Sequence, residues 1–140
     1  MTGARGRCES GSLAVEMAMV APGLLLIFAL IFAYGRAAQV NGTLESGTRD
    51  AARSVTLARS YDDALARANA VLADAMKGAP QSCQDSLTLR IVGDYAPGEP
   101  ITVDADCTYD ISDIGLPGAP GTIKAQSSFT SMLDPNRGLS

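Results

Sequence analysis

From Met17 to Tyr34 the chain runs 18 residues without a charge, most of them aliphatic or aromatic. As a helix this run is about 27 Å long at ~1.5 Å per residue, close to the roughly 30 Å hydrocarbon core of a bilayer. In lipid a helix satisfies its own backbone hydrogen bonds, so the pattern predicts one transmembrane helix over residues 12–35. Pro22-Gly23 is its one helix-weakening pair, and a proline there removes one intrahelical hydrogen bond. Ala14, Ala18 and Pro22 are spaced by four, as are Ala29, Ala33 and Ala37. Small residues at that spacing suit close approach by another helix.

Beyond Arg36 the helical period continues. Val40, Leu44, Ala51, Val55 and Ala58 mark one side, and no proline interrupts before Arg59. Gly42 and Gly47 count against this stretch, since each costs about 1 kcal/mol relative to Ala in a helix interior. Ser60 followed by Asp63 predicts a second helix start. Leu65, Ala68, Leu72 and Ala75 share its inner face, and Gly78 and Pro80 end it.

After Gln81 the period becomes two. Leu87, Leu89 and Ile91 form one alternating set, and Ile101, Val103, Ala105, Cys107, Tyr109 and Ile111 form another. Turn residues at 93–100 separate them. An antiparallel register with Leu89 opposite Ile101 places Leu87 opposite Val103 and Cys83 opposite Cys107. A glycine- and proline-rich loop follows at 114–121, then a strand over 122–132 with Ile123, Ala125 and Phe129 inward. The expected fold class is α+β: a long N-terminal transmembrane helix continuing into a second helix, then a small antiparallel sheet of about three strands. The expected boundaries are a leader (1–11), the transmembrane helix (12–35), a helical region (36–78), a β region (79–133) and a loose tail (134–140).

Composition narrows the chemistry. The 140 residues carry a net charge of −4 and contain no His and no Trp. Scattered basic residues give no nucleic-acid footprint. Without His, a Ser–His triad is excluded and most metal sites lose their usual ligand. No enzyme activity, metal or cofactor is expected. Asp104, Asp106, Asp110 and Asp113 read as a solvated acidic face rather than a calcium site. Tyr61, Tyr95 and Tyr109 read as packing or rim residues.

The basic leader (Arg5, Arg7) in front of an apolar run resembles a secretory signal, but the run is longer than a signal's apolar region of about 7–15 residues. A retained anchor is expected. Arg5 and Arg7 place the short N-terminal tail in the cytoplasm and the rest outside. In that topology Cys8 is in a reducing compartment, whereas Cys83 and Cys107 share an oxidising one, where a disulfide persists. Two buried free thiols are the alternative.

Glu16 is unusual, because an ionisable group at the edge of a bilayer is costly and commonly functional. Gly11, four intervening residues, then Glu16 and an apolar helix with a proline is the arrangement of type IV pilin-like proteins. The run from Arg7 to Pro22 is similar to the opening of the TadE-like family, minor pilins or pseudopilins of the bacterial tight-adherence (Flp) pilus machinery. Met17 replaces that family's usual Phe, while Gly35-Arg36 and Asp50-Ala51-Ala52-Arg53 also resemble its pattern. The resemblance covers roughly residues 5–55. It implies processing between Gly11 and Ser12 by a prepilin peptidase. It also implies assembly roles for Glu16, Met17 and Pro22, with other pilin-like subunits and pilus-assembly proteins as partners. The alternatives are an uncleaved anchor with Glu16 snorkelling to the interface, and a single-pass tether for an extracytoplasmic binding module outside any pilus.

Overall fold

A computed structural model of the chain describes residues 10–136, with side chains from residue 13. Its element order is α1 (Ser10–Leu57), α2 (Tyr61–Ala75), α3 (Gln81–Asp85), β1 (Thr88–Val92), β2 (Pro100–Asp110) and β3 (Thr122–Met132). Short 3-10 turns at Met76–Gly78 and Ile111–Ile114 join them. The fold is α+β, as the change of period from helical to two implies.

α1 is one unbroken helix of 48 residues with Pro22 inside it, about 72 Å long at ~1.5 Å per residue. Its two halves meet different surroundings. Every side chain from Leu13 to Phe28 is exposed, whereas Ala33, Val40, Leu44, Ala51, Ala52 and Val55 are buried. The second half is therefore the central strut of a small domain. α2 packs along it, and β2 and β3 cover another side.

α2 starts where the sequence predicts. The Asp63 backbone N–H donates to Ser60 Oγ at 3.3 Å, and Asp62 and Asp63 sit in the first turn, where the helix dipole favours negative charge. It buries Ala64, Ala68 and Leu72 against α1. Gly47 accounts for the closeness of this pair. A Cβ built there lies 3.0 Å from Ala75 Cβ and 3.1 Å from Leu72 Cδ1. The glycine that weakens α1 by propensity is thus what admits α2. Gly42 has nothing comparable within 4 Å.

The sheet has the order β1-β2-β3 and is antiparallel throughout. β2 alternates strictly, with Ile101, Val103, Ala105, Cys107 and Tyr109 buried. The inward face is the expected one, but the β1–β2 register differs. Leu89 pairs with Ala105 and Ile91 with Val103, a shift of four positions along β2 from Leu89 opposite Ile101. An even shift preserves which face each side chain occupies, so hydrophobic alternation cannot distinguish the two.

Local structure on either side of β1 sets the actual register. Ser86 anchors the start of β1, its hydroxyl accepting from Thr108 N–H at 2.9 Å and donating to Thr108 O at 2.8 Å. After the last pair, Val92–Thr102, a wide loop follows rather than a tight turn. It carries Tyr95 back to the end of α1, where the tyrosine hydroxyl lies 3.0 Å from Val55 O and 2.9 Å from Ala58 O. Those carbonyls close the last turn of the helix, where intrahelical donors run out. The Tyr95 ring packs edge-on against Tyr61 at 6.0 Å.

Cys83 and Cys107 form a disulfide, with Cα atoms 4.9 Å apart. The bridge holds although the register that suggested it does not. Cys83 lies on α3 rather than on a strand, and this single helical turn brings it back alongside Cys107. Both half-cystines are fully buried. By the chain-entropy model such a closure contributes roughly 3 kcal/mol.

Gly42 and Gly47 respond in opposite directions to substitution. Gly42→Ala stabilises the domain by about 0.5–1 kcal/mol through helix propensity. Gly47→Val forces α2 away and costs roughly 1–3 kcal/mol. Denaturant titration of the full chain in detergent, followed by circular dichroism, measures both. Equal effects at the two sites would contradict the close approach at Gly47.

Candidate functional site

The first half of α1 carries the expected assembly residues. Glu16, Met17 and Pro22 are all exposed on the helix. Leu13, Glu16, Met17 and Val20 lie at one helical spacing and border a shallow notch of about 210 Å³. No Lys or Arg among the described residues pairs with Glu16. Pro22 leaves the carbonyl four residues earlier, that of Ala18, without its usual helical donor, yet the helix continues through it. The step from Gly11 to Ser12 falls in the first turn of α1, at residues whose side chains are outside those described. Arg5, Arg7 and Cys8 also lie outside the described residues.

This surface is strongly apolar and lacks cover. Leu24, Leu25, Leu26, Ile27, Phe28, Leu30, Ile31 and Phe32 are each about half or more exposed. α1 is long and apolar enough to cross a membrane, and its most apolar 18-residue window has none of its residues buried. Exposed apolar surface on this scale marks an interaction with lipid or another protein.

Residues 11–53 match the family model for TadE-like proteins. The N-terminal helix is similar to that of TadE-like proteins. The matched stretch is about a third of the chain and lies wholly within α1, covering the apolar half and most of the strut. The TadE-like match relates this helix to pilin-like proteins of Tad pili. No curated protein and no solved structure shows significant similarity to the chain.

The two small-residue faces differ in fate. Ala14 and Ala18 stay exposed and open to a partner. Ala33 is buried and Ala29 and Ala37 are half-buried, because the chain's own segment after β2 occupies that side. Gly115 lies so close to α1 that a Cβ there would be 2.7 Å from the Phe32 ring. Its φ of +106° also favours glycine. α1 is thus gripped by the domain down to Phe32, inside the apolar run. Alanine spacing alone did not reveal this grip. The signal for it was the absence of any charge between Asp113 and Lys124.

Asp104, Asp106 and Asp113 each have a partner within the domain. Asp106 Oδ1 accepts from Thr88 Oγ1 at 2.9 Å and lies 3.7 Å from Arg90, while Oδ2 is 3.4 Å from Lys124 Nζ. Asp104 accepts from Ser128 Oγ at 2.7 Å, and Asp113 accepts from Ser82 Oγ. Among the described residues no acidic group is arranged to hold a metal ion. The Thr88 hydrogen bond holds the Asp106 carboxyl below its ordinary value of 3.8; burial, the next largest effect, opposes it, and the Lys124 hydrogen bond and charge and the Arg90 charge lower it further.

A carboxyl lowered on folding adds stability above its unfolded value and loses it as pH falls through the folded one. Asp106→Asn is therefore expected to cost no more than about 1 kcal/mol at pH 7, as partly exposed pairs do. The gap between wild type and variant should close as pH drops below 3.8. Urea unfolding across pH 2–7 checks this, and a gap unchanged in acid would contradict the pairing.

Proposed function

We propose that this chain is a membrane-anchored, pilin-like subunit serving the assembly of a tight-adherence (Flp) pilus or a related secretion apparatus. The observation that carries the reading is the uncovered apolar half of α1, with one carboxylate at its edge, within the TadE-like match. The anchor crosses the membrane once, with the N-terminus cytoplasmic and the domain outside, as the Arg5 and Arg7 flank favours. Lateral packing against helices of other pilin-like subunits buries surface that this chain cannot bury itself. The exposed Ala14–Ala18 face suits that approach.

Glu16 supplies register to the packing. A carboxylate drawn into lipid needs a cation close by. Processing between Gly11 and Ser12 creates an α-ammonium at Ser12, and that of a neighbouring subunit is a suitable partner. Pairing across subunits fixes the axial stagger, because moving either helix by one turn leaves both charges unpaired. Met17 and Val20 flank the pair with apolar surface. Outside the membrane the small domain presents its polar sheet face to the remaining components.

The reading predicts that protein recovered from native membranes has an intact mass corresponding to a chain beginning at Ser12. It further predicts that Glu16→Ala abolishes pilus or secretion output while the protein stays folded, disulfide-bonded and membrane-bound, and that Glu16→Asp retains part of the output. Unchanged output from Glu16→Ala would remove Glu16 from assembly. An unprocessed chain that still supports pili would remove the Ser12 pairing.

A further inference from the structure

The segment after β2 shares its level along α1 with the end of the apolar run. Glu16 marks one edge of that run, and about 20 helical residues cross a ~30 Å hydrocarbon core. The other edge then falls at Arg36. Gly115 touches Phe32, four residues or about 6 Å inside that edge at ~1.5 Å per residue. Tilting the helix moves the edge further along α1 and sets the segment deeper.

The composition of this segment suits that depth. From Ile114 to Ile123 it has no charged side chain. Part of its backbone polarity is also answered. Gly115 N–H donates to Ser112 O and Ala119 N–H to Leu116 O, Ile111 N–H donates to Gly121 O, and Pro117 and Pro120 have no N–H to lose. Between it and α1 runs a groove of about 470 Å³, lined mainly by apolar side chains including Leu30, Ala33, Ile114 and Leu116. The groove is continuous with the uncovered surface of α1 at Leu30. Tyr109 also lines it, and the tyrosine hydroxyl is buried with no hydrogen-bond partner. A buried unpartnered hydroxyl is costly unless an acceptor arrives from elsewhere.

We propose that residues 114–121 form a second membrane contact, seated in the outer part of the hydrocarbon core on the side of the domain, with phospholipid filling the groove against α1. The ester carbonyl of a lipid held in the groove, at the margin of the hydrocarbon core, supplies the acceptor for Tyr109. Residues 114–121 and α1 then fix the tilt of the domain relative to the membrane, which a single helix cannot do.

This inference rests on α1 being a membrane anchor, so its test carries an internal reference. The chain has no Trp, and one introduced tryptophan is therefore the only indole. Full-length Phe28→Trp, Pro117→Trp and Met132→Trp variants are reconstituted in phosphatidylcholine vesicles, with and without lipid brominated near the middle of its acyl chains. Phe28 and Pro117 are exposed in the isolated chain, and Met132 is exposed near the other end of the domain, beside Leu57. We expect brominated lipid to remove most of the emission from Pro117→Trp and from Phe28→Trp and to leave Met132→Trp unchanged. Quenching of Phe28→Trp but not of Pro117→Trp overturns the lipid contact and spares the anchor. Loss of quenching at both overturns the anchor as well. Emission from Pro117→Trp that is blue-shifted yet indifferent to brominated lipid means protein covers the segment, which also overturns the proposal. Formation of the Cys83–Cys107 bridge in each variant confirms that the domain has folded.

Discussion

Everything in this molecule depends on one helix that lies in two environments. The second half of α1 buries Val40, Leu44, Ala51 and Val55 under α2 and the sheet. The first half buries nothing from Leu13 to Phe28. Apolar burial yields about 25 cal/mol per Å², so a surface this size drives the helix out of water. The chain offers no further element to cover it among the described residues. The apolar half and the strut belong to one continuous helix, Ser10–Leu57, with Pro22 inside it.

The domain holds the rod at several points of different chemistry. Gly47 lets α2 approach closely. Tyr95 closes the C-terminal turn of α1 from the loop after β1. The Cys83–Cys107 bridge ties α3 to the central strand, and Ser86 repeats that tie through two hydrogen bonds. Arg49 on α1 stacks over the Phe129 ring of β3 at 5.6 Å. Together they let a domain of about 100 residues, with a modest core, keep a fixed orientation on a long helix. For a subunit that packs laterally, that orientation decides which surface the domain presents.

The fold was legible wherever one periodicity dominated. The break at Ser60, the end near Gly78, the three strands and their inward faces all follow from spacing and capping chemistry. Register was not legible, because alternation is insensitive to an even shift and the deciding contacts are specific. Those contacts are Ser86 on Thr108, and Tyr95 reaching α1 from a wide loop. α3 was hidden for a similar reason: Gln81–Asp85 is too short to show a period. At the site, the apolar run and Glu16 were plain in the sequence, since lipid places a length requirement on the chain. The grip of residues 111–116 on this stretch of α1 was not, because it joins segments some 80 residues apart through the contact of Gly115 with Phe32.

The claim at the centre of this account is that the uncovered half of α1 meets other pilin-like helices. A photoreactive amino acid at Val20, on the Glu16 side of the helix, tests it most directly in cells that assemble the apparatus. The account predicts a crosslinked adduct whose second chain is a pilin-like subunit, lost when Glu16 is replaced by Ala. Adducts with lipid alone, in cells making intact pili, would contradict it.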